Sequence, residues 1–170
     1  MYNITSNPNA ILYDKIAEDI NTKLGSMFDD QIPVCWARIE EDQVVPEVYS
    51  GSGDKINLRV MPDTTRSLSF FTIEGELTEI DEYYFACPMA LTFWVNLQKY
   101  DDTKSYDFTT ELIRDVTNII RDYGGYDFAV NVNNPFENFS MLEKEVAANT
   151  MRPYTAAKIT FTCNAQICGT

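Results

Sequence analysis

Met89-Ala90-Leu91-Thr92-Phe93-Trp94-Val95-Asn96-Leu97-Gln98 sets large apolar side chains on every second position for ten residues. A period of two puts alternate side chains on opposite faces of an extended chain, so the run predicts a long strand. Its apolar face is carried by Met89, Leu91, Phe93, Val95 and Leu97, facing away from Ala90, Thr92, Trp94, Asn96 and Gln98. A strand of this length needs neighbours on both edges and a cover for its apolar face. What flanks it therefore decides the fold.

Downstream, the polar turn Asp101-Asp102-Thr103-Lys104 leads into Phe108, Leu112, Ile113, Val116, Ile119, Ile120 and Tyr123 at helical spacing, and Gly124-Gly125 stops that helix. Phe128, Val130 and Val132 alternate as a second strand, ended by Asn133-Asn134-Pro135. Ala157, Ile159, Phe161 and Cys163 against Lys158, Thr160, Thr162 and Asn164 make a closing strand. Between these strands, the stretch at about 134–153 is bracketed by Asn133-Asn134-Pro135 and Arg152-Pro153, breakers that detach it from a sheet. Phe139, Leu142 and Val146 fit one side of a short helix over the chain's own core, and the same stretch reads equally well as an extended arm. As an arm it would reach a neighbouring subunit or partner, with Phe136, Phe139 and Leu142 as apolar anchors.

Upstream, Asn7-Pro8 reads as an N-cap and first helical residue, followed by Leu12, Ile16, Ile20 and Leu24 in a helix of about residues 8–28. Ile32 to Glu40 is strand-like, and Glu40-Glu41-Asp42-Gln43 turns it into Val44-Val45 as a hairpin. Ser50-Gly51-Ser52-Gly53-Asp54 lacks the lysine and spacing of a phosphate loop and reads as a turn. Ile56, Leu58 and Val60 alternate, and Ser67 to Ile73 forms a further strand-like run. The predicted class is α+β, a mixed or antiparallel sheet with two amphipathic helices packed on one face. With 170 residues, 45% of them apolar, one core is the natural filling. A single domain over 1–170 is expected, with a strand-rich insert at about 44–84.

Composition narrows the function. Lys and Arg total 13 against 26 Asp and Glu, a net charge of −13 that repels phosphate backbones and argues against gripping nucleic acid. No histidine is present, which removes the commonest general base and every zinc site built on imidazole. Asp101 to Asp107 clusters carboxylates, but Lys104 and Tyr106 stand where a calcium loop needs oxygen ligands, so Asp107 reads as a helix cap. Glu79, Asp81 and Glu82 offer paired carboxylates without a partner that would split their pKa values. Cys35, Cys87, Cys163 and Cys168 are dispersed, and the first three lie in apolar runs, as buried free thiols do. The expectation is no enzyme, no cofactor and no metal. The start Met1-Tyr2-Asn3-Ile4-Thr5 has no cationic and apolar leader, and no segment reaches the roughly 18 to 20 apolar residues of a membrane span. A cytosolic origin and no membrane partner are expected, and the sequons at Asn3 and Asn138 read as accidental.

From Ala90 to Ala165 the order of long strand, polar turn, helix, strand, irregular stretch and closing strand resembles the C-terminal half of the small tail-terminator, or tail-completion, proteins of long-tailed bacteriophages. The helix Ile11 to Leu24 fits as well. The resemblance implies a virion protein assembled in the host cytoplasm: a subunit of a closed homo-oligomeric ring, commonly sixfold, either the terminator itself or a related neck ring, that caps the tail tube and joins it to the head-side connector. DNA would pass through such a ring without specific binding. The competing reading is a non-viral α+β adaptor or binding module without catalytic activity.

Overall fold

The computed structural model describes residues 12–49, 55–57, 66–101, 103, 108–139 and 154–166. The long strand, β7 (Tyr84–Asn96), lies at the centre of the main sheet. It pairs antiparallel with β5 (Leu68–Ile73) on one edge and with β9 (Tyr154–Gln166) on the other, the latter continuously from Tyr84↔Gln166 to Asn96↔Tyr154. The sheet order is β1-β5-β7-β9-β8, where β1 is Asp30–Val34 and β8 is Tyr126–Asn131. The short β6 (Thr78–Glu79) folds back on the start of β7. Among the described strands of this sheet only β1 and β5 run parallel, so the sheet is mixed.

Both helices cover one face. In α1 (Leu12–Leu24) the buried residues are Ile16, Ala17, Ile20 and Leu24, and in α3 (Phe108–Tyr123) they are Phe108, Leu112, Val116 and Ile120. Spacing of three and four residues aligns each set in one stripe, and both stripes enter one cluster with Met89, Leu91, Phe93 and Val95 of β7 and Ala157, Ile159, Phe161 and Cys163 of β9. Helix α1 ends earlier than its predicted limit of residue 28, at Gly25, whose φ of 59° suits glycine and whose N–H donates to the Asn21 carbonyl at 3.1 Å. Phe28 still reaches the core. The predicted start at residues 8–11 lies outside the described residues. At the end of α3, Gly125 sits so close beneath Ile120 that a Cβ would meet its Cγ2 at 2.6 Å.

The predicted single apolar face of the long strand needs correction, because β7 is buried on both faces from Met89 to Asn96. Ala90, Thr92, Trp94 and Asn96 are as covered as their apolar neighbours, with Trp94 in a second core. Small and hydroxyl residues read as a wet face in sequence, yet they are also what fits where a second layer approaches closely. The strand also stops earlier than Leu97 and Gln98, turning at Leu97 into the four-residue α2 (Leu97–Tyr100).

The second layer is a ribbon of β2 (Trp36–Glu40), β3 (Gln43–Tyr49) and β4 (Lys55–Asn57). The expected hairpin is there, with Glu40 opposite Gln43 across a two-residue turn in which Glu41 and Asp42 both have positive φ, 47° and 63°. The stretch 44–84 is not a separate unit: β3 and β4 belong to the ribbon, while β5 enters the main sheet between β1 and β7. Ser50 to Asp54, Leu58 and Val60 lie outside the described residues.

Candidate functional site

The face of the main sheet away from the helices divides into a covered half and an open half. In the covered half, Leu68 and Phe70 of β5 and Trp94 of β7 join Ile32, Cys35 and Val48 in the second core. Phe136 and Phe139 complete it. Each is 2% exposed, and their rings lie 6.2 and 6.0 Å from that of Phe70, with Trp94 6.2 Å from Phe136 and 5.5 Å from Tyr154. Both phenylalanines are candidate anchors in the arm reading of this stretch, the other reading being a cover over the chain's own core. They fill the chain's own core, because the turn after β8 brings them back over Phe70 and Trp94. Leu142, the third proposed anchor, lies outside the described residues.

Beside these rings is a buried ion cluster that the sequence reading missed. Lys158, 1% exposed, directs its Nζ to Glu74 Oε2 at 2.7 Å and to Glu137 Oε1 at 2.8 Å. Asn138 Nδ2 donates to Glu74 Oε1 at 3.0 Å, and the Thr72 hydroxyl donates to the same oxygen. A buried ammonium is tolerated only when paired and hydrogen-bonded, and here two carboxylates meet that need. Because Glu137 and Asn138 lie between Phe136 and Phe139 in one turn, the cluster ties that turn to the end of β5. The available signal was Lys158 as the one charged residue in the strand sequence YTAAKITFTCNAQ.

The open half lies at the other end of the same face. Tyr84 opposes Gln166, Ala86 opposes Thr78 and Asn164, and Pro88 opposes Thr162, which also faces Tyr126. The Tyr126 hydroxyl donates to Asn164 Oδ1 at 2.7 Å. Ile80, Tyr83, Tyr84 and Tyr126 are 51, 57, 41 and 36% exposed, large values for apolar and aromatic side chains. At the hairpin tip the carboxylates Glu79, Asp81 and Glu82 are all exposed. Asp81 accepts the N–H of Tyr83 at 2.8 Å and of Tyr84 at 3.0 Å, so it shapes the turn and is not held as one of an acid–base pair.

A cleft of about 600 Å³ opens at the start of β5 and end of β7, lined by Asp29, Arg66, Ser67, Asn96, Tyr100 and Asp101. Much of its polar lining is engaged within the fold. Arg66 forks onto Asp30, Nε at 2.8 Å and a terminal nitrogen at 2.9 Å, and Asp29 accepts from both the N–H and the hydroxyl of Ser67 at 2.7 and 2.9 Å. These contacts clamp β1 to β5. Asp101 accepts from Thr103, closing a turn, whereas Asp102, Lys104 and the proposed cap Asp107 lie outside the described residues. Among the described residues no group of histidine, cysteine, aspartate or glutamate is gathered to hold a metal ion. Cys35, Cys87 and Cys163 are buried free thiols, and Cys168 lies outside the described residues. Burial pushes Cys87 up to about 11 and Cys163 up to about 12, which suppresses the reactive thiolate.

The fold and its surfaces define an α+β protein with a mixed sheet and helices on one face. No protein-family model, curated protein or solved structure matches the chain.

Proposed function

We propose that this chain is a structural subunit of a homo-oligomeric ring, of the tail-terminator or neck type, that caps a tail tube and joins it to a head-side connector in a bacteriophage virion. The observation that carries the reading is the edge strand β8. Among the described residues the main sheet ends there, with Val130 of that strand and Val132 just after it 45 and 51% exposed. Open edges are normally blunted by lysine, proline or a bulge. Here a bulge at Asp127, φ 53°, interrupts only the first part of the strand and leaves Ala129 to Asn131 uncharged and in continuous register with β9. An edge of this kind supplies one side of a contact between copies, and a contact that joins unlike surfaces under a closing rotation builds a ring. The net charge of −13 fits a subunit past which DNA slides without sticking.

Light scattering coupled to size exclusion, followed by negative-stain imaging of the purified chain, tests the proposal. Closed rings, six subunits being the expected order, support it, and Val130→Lys with Val132→Lys should return the protein to monomers of unchanged melting temperature. A monomer that persists at high concentration and ordinary salt would sink the ring reading and leave the binding-module reading standing.

A further inference from the structure

We infer that the open half of the sheet's second face docks a protein partner whose contact surface is apolar at its centre and rimmed by lysine or arginine. The inference does not rest on ring formation, since the proposed ring contact uses the sheet's edge and this one uses its face.

The centre of the patch is Ile80, Tyr84 and Tyr126, between 36 and 51% exposed, interleaved with the uncharged Thr162 and Asn164. Tyrosine offers a large amphipathic contact at small conformational cost, and such residues dominate binding energy when a partner seals them from water. The platform beneath them is rigid, because β7 and β9 stay paired through this whole region.

The rim selects the partner. Asp81 and Glu82 stand exposed at the hairpin tip and Asp127 beside Tyr126, while the sequence from Ser67 to Gln98 contains no lysine or arginine. The nearest basic residue on this face of β9, Lys158, is buried and held by Glu74 and Glu137. A second copy would bring the same carboxylates, and the same net −13, against this rim. Nucleic acid and anionic lipid are repelled for the same reason. A protein surface with a cationic rim meets both the apolar centre and the charge.

The test uses the full chain and two short synthetic peptides, one alternating leucine and tyrosine with lysine, the other alternating them with glutamate. The lysine peptide should bind, with amide shifts centred on Tyr84, Ala86, Asn164 and Tyr126. Tyr84→Ser with Tyr126→Ser should weaken binding at least about tenfold, the loss expected of hot-spot truncation. Glu82→Lys, an exposed change that leaves the platform alone, should weaken it as well. The inference falls if the lysine peptide does not bind, if the glutamate peptide binds equally, or if shifts are as large at the acidic turn Glu40-Glu41-Asp42. It falls too if the tyrosine changes turn an unliganded oligomer into monomers, which would make the occupant a second copy.

Discussion

Lys158 shows how much one buried charge can organise. It lies between Glu74 on the strand side and Glu137 on the turn that carries Phe136 and Phe139. Replacing it with alanine removes the common partner of two carboxylates, a change that costs roughly 3 to 5 kcal/mol where the remaining charge stays buried. Glu137 is 44% exposed on its side chain and can rehydrate, so the expected loss in urea unfolding is at the low end of that range. Lys158→Met combined with Glu74→Gln and Glu137→Gln should recover most of it, since no uncompensated charge then remains. Phe136→Ser or Phe139→Ser should each lower stability by about 3 kcal/mol or more, as removal of a buried ring does. An unchanged melting temperature in both would return them to the role of arm anchors. The buried thiols add a pH dependence. Their folded pKa values, about 11 for Cys87 and about 12 for Cys163, are raised from the ordinary 9.0, chiefly by desolvation. The folded state therefore holds protons that the unfolded chain releases, so this contribution is complete below pH 9 and is lost as pH rises through 11 and 12. Denaturant midpoints should fall across that window in the native chain and fall less in Cys87→Ala with Cys163→Ala.

Among the elements, the helix-side core shared by α1, α3, β7 and β9 is central. Phe93 and Val116 are both fully buried in the same cluster, as their positions in the strand and helix periods require. Phe93→Ala should cost roughly 3 to 5 kcal/mol and Val116→Ala about 2; losses under about 0.5 at both would contradict this packing. The β2–β3 turn runs against local preference. Two-residue hairpin turns with positive φ at both positions favour Asn-Gly, whereas Glu41 and Asp42 occupy them here. Glu41→Asn with Asp42→Gly should raise stability by about 1 kcal/mol through relief of left-handed strain, measured as a higher denaturant midpoint at unchanged slope.

At the scale of the whole molecule, the charge of −13 separates two kinds of association. Copies of this chain repel one another, and the repulsion is screened as the Debye length shrinks from about 30 Å at 0.01 M salt to about 8 Å at 0.15 M. Ring formation through the β8 edge should therefore strengthen with salt over that interval, followed by sedimentation velocity. Docking of a cationic partner on the open face should weaken over the same interval. Opposite salt responses would identify two surfaces, and a common response would merge them into one.

The amino-acid sequence alone determined the elements whose hydrophobic period is long and uninterrupted. The strand around Phe93, the helix from Phe108 to Tyr123 and the strand around Ile159 were legible because each must present one continuous apolar stripe to the helix-side core. The two helices on one face of an α+β sheet followed from those stripes. Tertiary structure decided the rest, because the second face of the sheet is built from residues with no period of their own. Thr92, Trp94 and Lys158 look like outward positions until the β2–β3 ribbon and the Phe136 to Phe139 turn close over them. The division of that face into a covered and an open half depends on where distant segments return, and neighbouring positions along the chain carry no record of a contact such as Lys158 with Glu74.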